Sequence, residues 1–144
     1  MNIQKKIKII AEVAQGYEGS FNLAKKMIDG SIYAAADGVK FQLIYADEIC
    51  TKRYPYYKFF KSLELNVEKW HKLIEKKRKK IEIYFDIYGK KSLKVAKELK
   101  ADGVKISSTD VLNDKLIYDA VKSFKKVFIA ISGLEINKIR KILP

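Results

Sequence analysis

Disulfide capacity, arginine and long apolar runs are all scarce in this chain. One cysteine, Cys50, stands among 144 residues, so no internal disulfide can form, which fits a reducing compartment. No histidine lies near Cys50 in sequence to activate it, so an inert thiol is expected. No apolar run approaches the ~18 residues of a membrane span. Residues 1–10 carry lysines but no long apolar stretch followed by a small-residue cleavage site. These absences point to a cytoplasmic protein with no membrane partner. Little proline beside much isoleucine and lysine reads as a composition-wide bias.

Positive charge is plentiful, at a net +13, yet Arg53, Arg78 and Arg140 are the only arginines. Arginine is the residue preferred for bidentate phosphate and base contacts. The charge therefore reads as a solvated lysine surface with a general attraction for anionic metabolites, and no nucleic-acid partner is expected. The length is that of a single domain, residues 1–144, enough to bury a real core.

The chain alternates between two periodicities. Residues 7–13 form a nearly continuous apolar run, the pattern of a parallel strand buried on both faces. Residues 15–19 read as a turn. Ser20 can cap a helix carrying Leu23, Ala24, Met27, Ile28 and Ser31 at helical spacing. Strand two spans residues 39–44. Residues 45–65 read as an irregular, aromatic segment whose Tyr54, Tyr56, Tyr57, Phe59 and Phe60 suggest a packed loop. Asn66 can cap a helix with Val67, Trp70, Leu73 and Ile74 on one side. The basic residues 76–80 sit at its C-terminal end, where they favour the helix dipole. Strand three is 81–85, helix 92–99 follows, and strand four is 103–107. Helix 112–121 presents Leu112, Leu116, Ile117, Ala120 and Val121 inward. Strand five is 127–131, and Ile136, Ile139 and Leu143 begin a fifth helix. Strict β-α alternation implies a parallel sheet with right-handed crossovers. An open doubly wound sheet and a partial TIM-type (β/α) barrel of about five parallel strands both fit that alternation.

One internal repeat stands out. Ala36-Asp37-Gly38-Val39-Lys40 recurs as Ala101-Asp102-Gly103-Val104-Lys105, each copy following a helix and opening a strand. A single strand lysine reads as an edge residue with a packed stem and a solvated tip. Two at equivalent positions near the C-terminal mouth of a barrel make an anion pocket suited to phosphate or carboxylate. Asp37 and Asp102 are expected in turns, bonded to their own backbone. Glu18, Asp47 and Glu48 read as surface carboxylates.

Four segments resemble one family. The sialic-acid synthases, which condense phosphoenolpyruvate with an N-acetylmannosamine-type sugar, carry Ala-Glu-Ile-Gly-x-Asn-His-x-Gly-Ser on strand one. Residues 11–20 here read Ala-Glu-Val-Ala-Gln-Gly-Tyr-Glu-Gly-Ser. The family's Ala-Asp-Ala-Val-Lys-Phe-Gln is similar to residues 36–42, Ala-Asp-Gly-Val-Lys-Phe-Gln. Its Lys-Ile-x-Ser-x-Asp followed by Asn matches Lys105, Ile106, Ser108, Asp110 and Asn113. Its Ser-Thr-Gly resembles Ile131-Ser132-Gly133. The resemblance covers nearly the whole chain and corresponds to the N-terminal half of that family's barrel.

The resemblance implies that Lys40 and Lys105, helped by Ser108 and Ser132, bind phosphoenolpyruvate. Gln42 and Asn113 would contribute to the same substrate site, and Glu12 would be the catalytic carboxylate near the sugar. Building negative charge on oxygen during transfer of an enolpyruvate carbon to an aldehyde favours preorganised cations, and a carboxylate beside lysines stays ionised and can help move protons. The chain departs from the family in three places. Gly16-Tyr17 replaces Asn-His. Asp86 stands where the family has a phosphate-holding threonine, and it repels phosphate unless a lysine neutralises it or it turns away. The two histidines that hold the family's manganese or magnesium lie on later strands, whereas the lone His71 lies in the helix around Trp70 and reads as structural or solvent-facing. No cofactor is expected within this chain. Three readings stay open: an N-terminal piece of a synthase that is inactive alone, a half barrel completed by a second copy or another chain, and a non-catalytic anion-binding or assembly module derived from that barrel.

Overall fold

The computed structural model describes residues 7–142. Five strands alternate with helices: β1 (Ile10–Ala14), α1 (Phe21–Tyr33), β2 (Gly38–Gln42), α2 (Ala46–Ile49), α3 (Tyr57–Ser62), α4 (Val67–Glu75), β3 (Glu82–Ile87), α5 (Lys90–Glu98), β4 (Gly103–Ile106), α6 (Asp114–Ser123), β5 (Val127–Ile129) and α7 (Ile136–Ile142). All strands are parallel and lie in the order β1-β2-β3-β4-β5. A doubly wound sheet reverses its strand order part-way; this one does not. This unreversed order is that of a (β/α) barrel.

Alternate strand residues face opposite ways, and the two faces differ in chemistry. Val39, Phe41, Ile83, Phe85, Ile87, Val104 and Ile106 point outward into one apolar core with Ala24 and Ile28 of α1, Trp70 and Leu73 of α4, Leu93 and Ala96 of α5, and Leu116 and Ala120 of α6. Trp70 packs edge-on against Tyr17, Phe41 and Phe85, with ring centroids 5.2 to 5.4 Å apart. The opposite, concave face carries Glu12, Lys40, Gln42, Tyr84, Asp86, Lys105 and Phe128, as the register requires.

The repeat has a geometric cause. It flanks β3 on both sides. Asp37 and Asp102 accept hydrogen bonds from the backbone N–H groups of Ile9 (2.9 Å) and Ile83 (2.8 Å), so each ties its strand to the preceding one rather than closing a local turn. The Tyr84 ring lies across both glycines. A Cβ on Gly38 would meet Tyr84 Cε2 at 2.7 Å, and one on Gly103 would meet Tyr84 Cε1 at 2.9 Å.

Several expectations from sequence are corrected. β1 is an edge strand, half-buried rather than buried on both faces, and it starts at Ile10, leaving Ile7 and Ile9 exposed. Residues 45–65 are not irregular but contain α2 and α3. Leu63 and Leu65 anchor the segment, while Tyr54, Tyr56 and Phe59 stay exposed rather than packed. Asn113 caps α6 by accepting from Leu116 N–H at 3.1 Å, so the helix starts later than its apolar pattern suggests and leaves Leu112 outside it and exposed; Val121, within the helix, is exposed too rather than inward. Glu48 is no plain surface carboxylate. It accepts from the backbone N–H groups of Lys91 (2.5 Å) and Ser92 (3.0 Å), capping α5 from across the chain. Leu143 lies outside the described residues. No helix among the described residues is long and apolar enough to cross a membrane.

Candidate functional site at the mouth of the sheet

The C-terminal ends of β1 to β4 bring four charged side chains together. Glu12 is the register partner of Lys40, and Lys105 is the register partner of Asp86. Asp86 lies one pair above Lys40 on the same face, since its own β2 partner is Gln42. Lys40 Nζ donates to Asp86 Oδ1 at 2.6 Å and also pairs with Glu12. Lys105 Nζ donates to Asp86 Oδ2 at 2.7 Å. One aspartate is thus gripped through both oxygens by two lysines from the strands on either side.

Burial grades the cluster. The side chains of Asp86 and Lys40 are 2% and 9% exposed, those of Lys105 and Glu12 31% and 51%. Burial pulls the Lys40 pKa down, but the hydrogen bonds to Asp86 and Glu12 outweigh it and leave the ammonium above its ordinary value. Lys40 is therefore a fixed cation. Two lysines against two carboxylates make the cluster neutral overall.

The backbone is shaped around the outer member. β1 carries a bulge between Glu12 and Ala14, and Ala14 takes a φ of 52°. Glu12 Oε1 accepts from Ala14 N–H at 3.1 Å, across the bulge. Bulges beside functional sites commonly re-aim a side chain in this way. Tyr88, just beyond β3, is half-buried at the same mouth. Burial, with the negative charges of Asp86, Glu12 and Asp110 and a contribution from Tyr17, holds its hydroxyl well above the usual phenol range. Sequence reading did not single it out; its position two residues after Asp86 was the available signal.

The remaining expected site residues behave differently. Gln42 shares the concave face, and its carbonyl accepts from the Tyr17 hydroxyl at 3.0 Å. Tyr17 is fully buried against Phe41 and Trp70, so the residue replacing the family's histidine serves the core. Ser108 sits exposed on a short 3₁₀ turn after β4, and Ser132 is exposed after β5. Asn113 has its side-chain oxygen committed to the α6 cap. The ion-pair cluster includes none of these three.

His71 lies on the exposed side of α4, with Nε2 3.6 Å from Glu98. No group of three or more His, Cys, Asp or Glu comes together among the described residues. The two carboxylates at the mouth are already bound to lysines, so the residues present do not fit a metal. A groove of about 540 Å³, lined by Lys90, Lys94, Lys97, Asp119 and Lys122, runs between α5 and α6 on the helical side of the sheet. It belongs to the solvated lysine surface rather than to the mouth.

Comparison with known proteins fits this architecture. A match to the NeuB family runs over residues 27–143. The chain belongs to the NeuB family. An uncharacterized protein of Methanocaldococcus jannaschii is 29% identical over 136 residues, covering 91% of this chain and 39% of that protein. Among solved structures, the N-acetylneuraminic acid (sialic acid) synthetase of Leptospira borgpetersenii, in complex with citrate, superposes with a TM-score of 0.88. It shares 26% identity and covers 96% of this chain and 49% of that one. The spore coat polysaccharide biosynthesis protein SpsE of Bacillus subtilis shares the fold, with a TM-score of 0.78 at 23% identity over 94% of this chain and 39% of that one. The chain thus spans about two-fifths to one-half of the relatives it matches, and its five-stranded parallel sheet corresponds to about half of a NeuB barrel.

Proposed function

We propose that this chain is the strand-one-to-five half of a phosphoenolpyruvate-dependent synthase barrel of the sialic-acid type, and that it does not carry out condensation by itself. The observation that carries this reading is the convergence of Lys40 and Lys105, from β2 and β4, on one two-oxygen group at the mouth. Such a pair can hold a phosphate or carboxylate and offset negative charge developing on oxygen. Glu12, half-exposed and touching Lys40, would be the carboxylate that moves a proton near the sugar. The rest of the barrel would come from further strands in the same polypeptide, a second copy or another chain. Manganese or magnesium would be held by those strands.

The cluster's neutrality supports a second reading, a non-catalytic module that keeps the barrel's shape. A turnover assay with phosphoenolpyruvate, N-acetylmannosamine and manganese tests both. No product is expected from the isolated chain, and product is expected when the remaining strands are supplied in cis or in trans. Robust turnover by the chain alone would overturn the claim of dependence on them. Silence of the completed barrel would favour the non-catalytic module.

A further inference from the structure

We infer that Asp86 is a resident counter-ion, occupying the place where a bound anion's two oxygens would sit, so that any phosphate or carboxylate, the substrate of the proposed reaction included, reaches the two lysines only by displacing it. The inference rests on the reading of Lys40 and Lys105 as anion-gripping groups.

Three observations carry it. The two ammonium groups each meet a different oxygen of one carboxylate, at 2.6 and 2.7 Å. That spacing suits any planar or tetrahedral group that presents two oxygens together, and Asp86 is such a group supplied by the chain itself. Asp86 is almost fully buried and lies between the lysines on the central strand of the three, so an incoming anion cannot share the lysines without meeting its charge. Glu12 completes the neutralisation of Lys40. An entering phosphate or carboxylate would therefore add negative charge to a balanced cluster. Glu12, half in water, can swing away only by giving up its pair with Lys40 and the hydrogen bond from Ala14 N–H. Asp86 would have to carry its charge out of the sheet. It is thus the residue that sets how tightly the mouth takes carboxylates and phosphates.

Chemical rescue provides the test. Asp86→Ala removes the carboxylate and opens space of about its size between two lysines. Thermal unfolding of wild type and D86A is followed in formate, in inorganic phosphate, in phosphoenolpyruvate, and in chloride at matched ionic strength. D86A is expected to be destabilised in chloride and restored by formate or phosphate. An anion present at about ten times its dissociation constant shifts the folding equilibrium roughly tenfold. Wild type is expected to show no such preference. Equal effects of formate, phosphate and chloride on D86A, or equal gains in wild type, overturn the inference.

D86T, uncharged and close to aspartate in volume, is the second variant should D86A not fold in chloride, and failure of both to fold in formate or phosphate also overturns it. A rescued D86A that does not prefer phosphoenolpyruvate to phosphate upholds the role of Asp86 and counts against the enolpyruvyl reading. Turnover by a completed barrel without any rescue of D86A does the reverse.

Discussion

Replacing Lys40 by methionine isolates what the mouth cluster contributes to folding. Methionine has about the same length and no charge, so the packing of the stem is largely kept. The change leaves Asp86, 2% exposed, with Lys105 as its one remaining partner in the cluster, and Lys105 is 31% exposed and partly solvated. Removing one member of a buried pair leaves a charge short of compensation and costs about 3–5 kcal/mol, a large part of the roughly 5–15 kcal/mol that holds a domain together. Lys105→Met leaves Asp86 with the buried Lys40, which Glu12 also holds, so its cost should be clearly smaller, about 1–2 kcal/mol. Urea unfolding of both variants at neutral pH, with the midpoint compared at constant slope, measures the difference. Combining each with Asp86→Asn completes a double-mutant cycle, and the Lys40 cycle should show the larger coupling. The reasoning fails if K105M costs as much as K40M, or if K40M leaves the midpoint unmoved. Burial would then not grade the cluster.

Glu48→Ala should remove the cap of α5, costing about 0.5–2 kcal/mol and speeding amide exchange at Lys91 and Ser92; unchanged exchange there would refute it. Gly38→Ala should cost about 1–3 kcal/mol by overpacking, and most of that should vanish in a Tyr84→Ala background. Gly103→Ala should recover less, because its Cβ also meets the Lys126 carbonyl oxygen at 2.6 Å. Acid should expose the contribution of Glu82. Hydrogen bonds from Lys126, Lys8 and Tyr84 pull its pKa from an ordinary 4.5 to about 2. A carboxylate depressed on folding stabilises above its unfolded pKa and loses that contribution as pH falls through its folded one. The stability gap between wild type and Glu82→Gln should therefore be full above pH 4.5 and close towards pH 2; a gap that stays constant across that window would sink the assignment.

The fold was legible because parallel strands and amphipathic helices write their periods plainly. The apolar outer faces of β2, β3 and β4, and the helix stripes around Ile28, Trp70 and Leu116, read directly as core. The repeat was legible as a repeat, and its lysines were legible as a pair near one mouth. What Asp37, Asp102 and Glu48 do was not, because their partners lie 19 to 44 residues away and depend on register. Leu112 misled for a related reason: apolar spacing locates a helix face but not its first residue, and the Asn113 cap sets that. For Asp86, sequence could state the alternatives of repulsion or neutralisation. Only register could decide between them, by placing Lys105 directly opposite and Lys40 one pair below.

The concave face also shows why net charge was a poor guide to this site. β3 carries two acids on that face, four residues apart, and each is held by lysines from both sides. Glu82 pairs with Lys8 and Lys126, and Asp86 with Lys40 and Lys105. With Glu12 added, four lysines meet three carboxylates, so these two clusters account for one of the chain's thirteen net positive charges. The excess lies on the rest of the molecule, much of it on exposed helical lysines. Attraction between such exposed charges and an approaching anion is screened over about 8–10 Å in physiological salt, so it can draw anions to the surface without selecting among them. In the buried part of the mouth screening is weak, and there the charge balance turns on Asp86, which faces both lysines. The lysine-rich composition and the balanced charge of the mouth are therefore separate properties in this chain, and Asp86 is the residue that separates them.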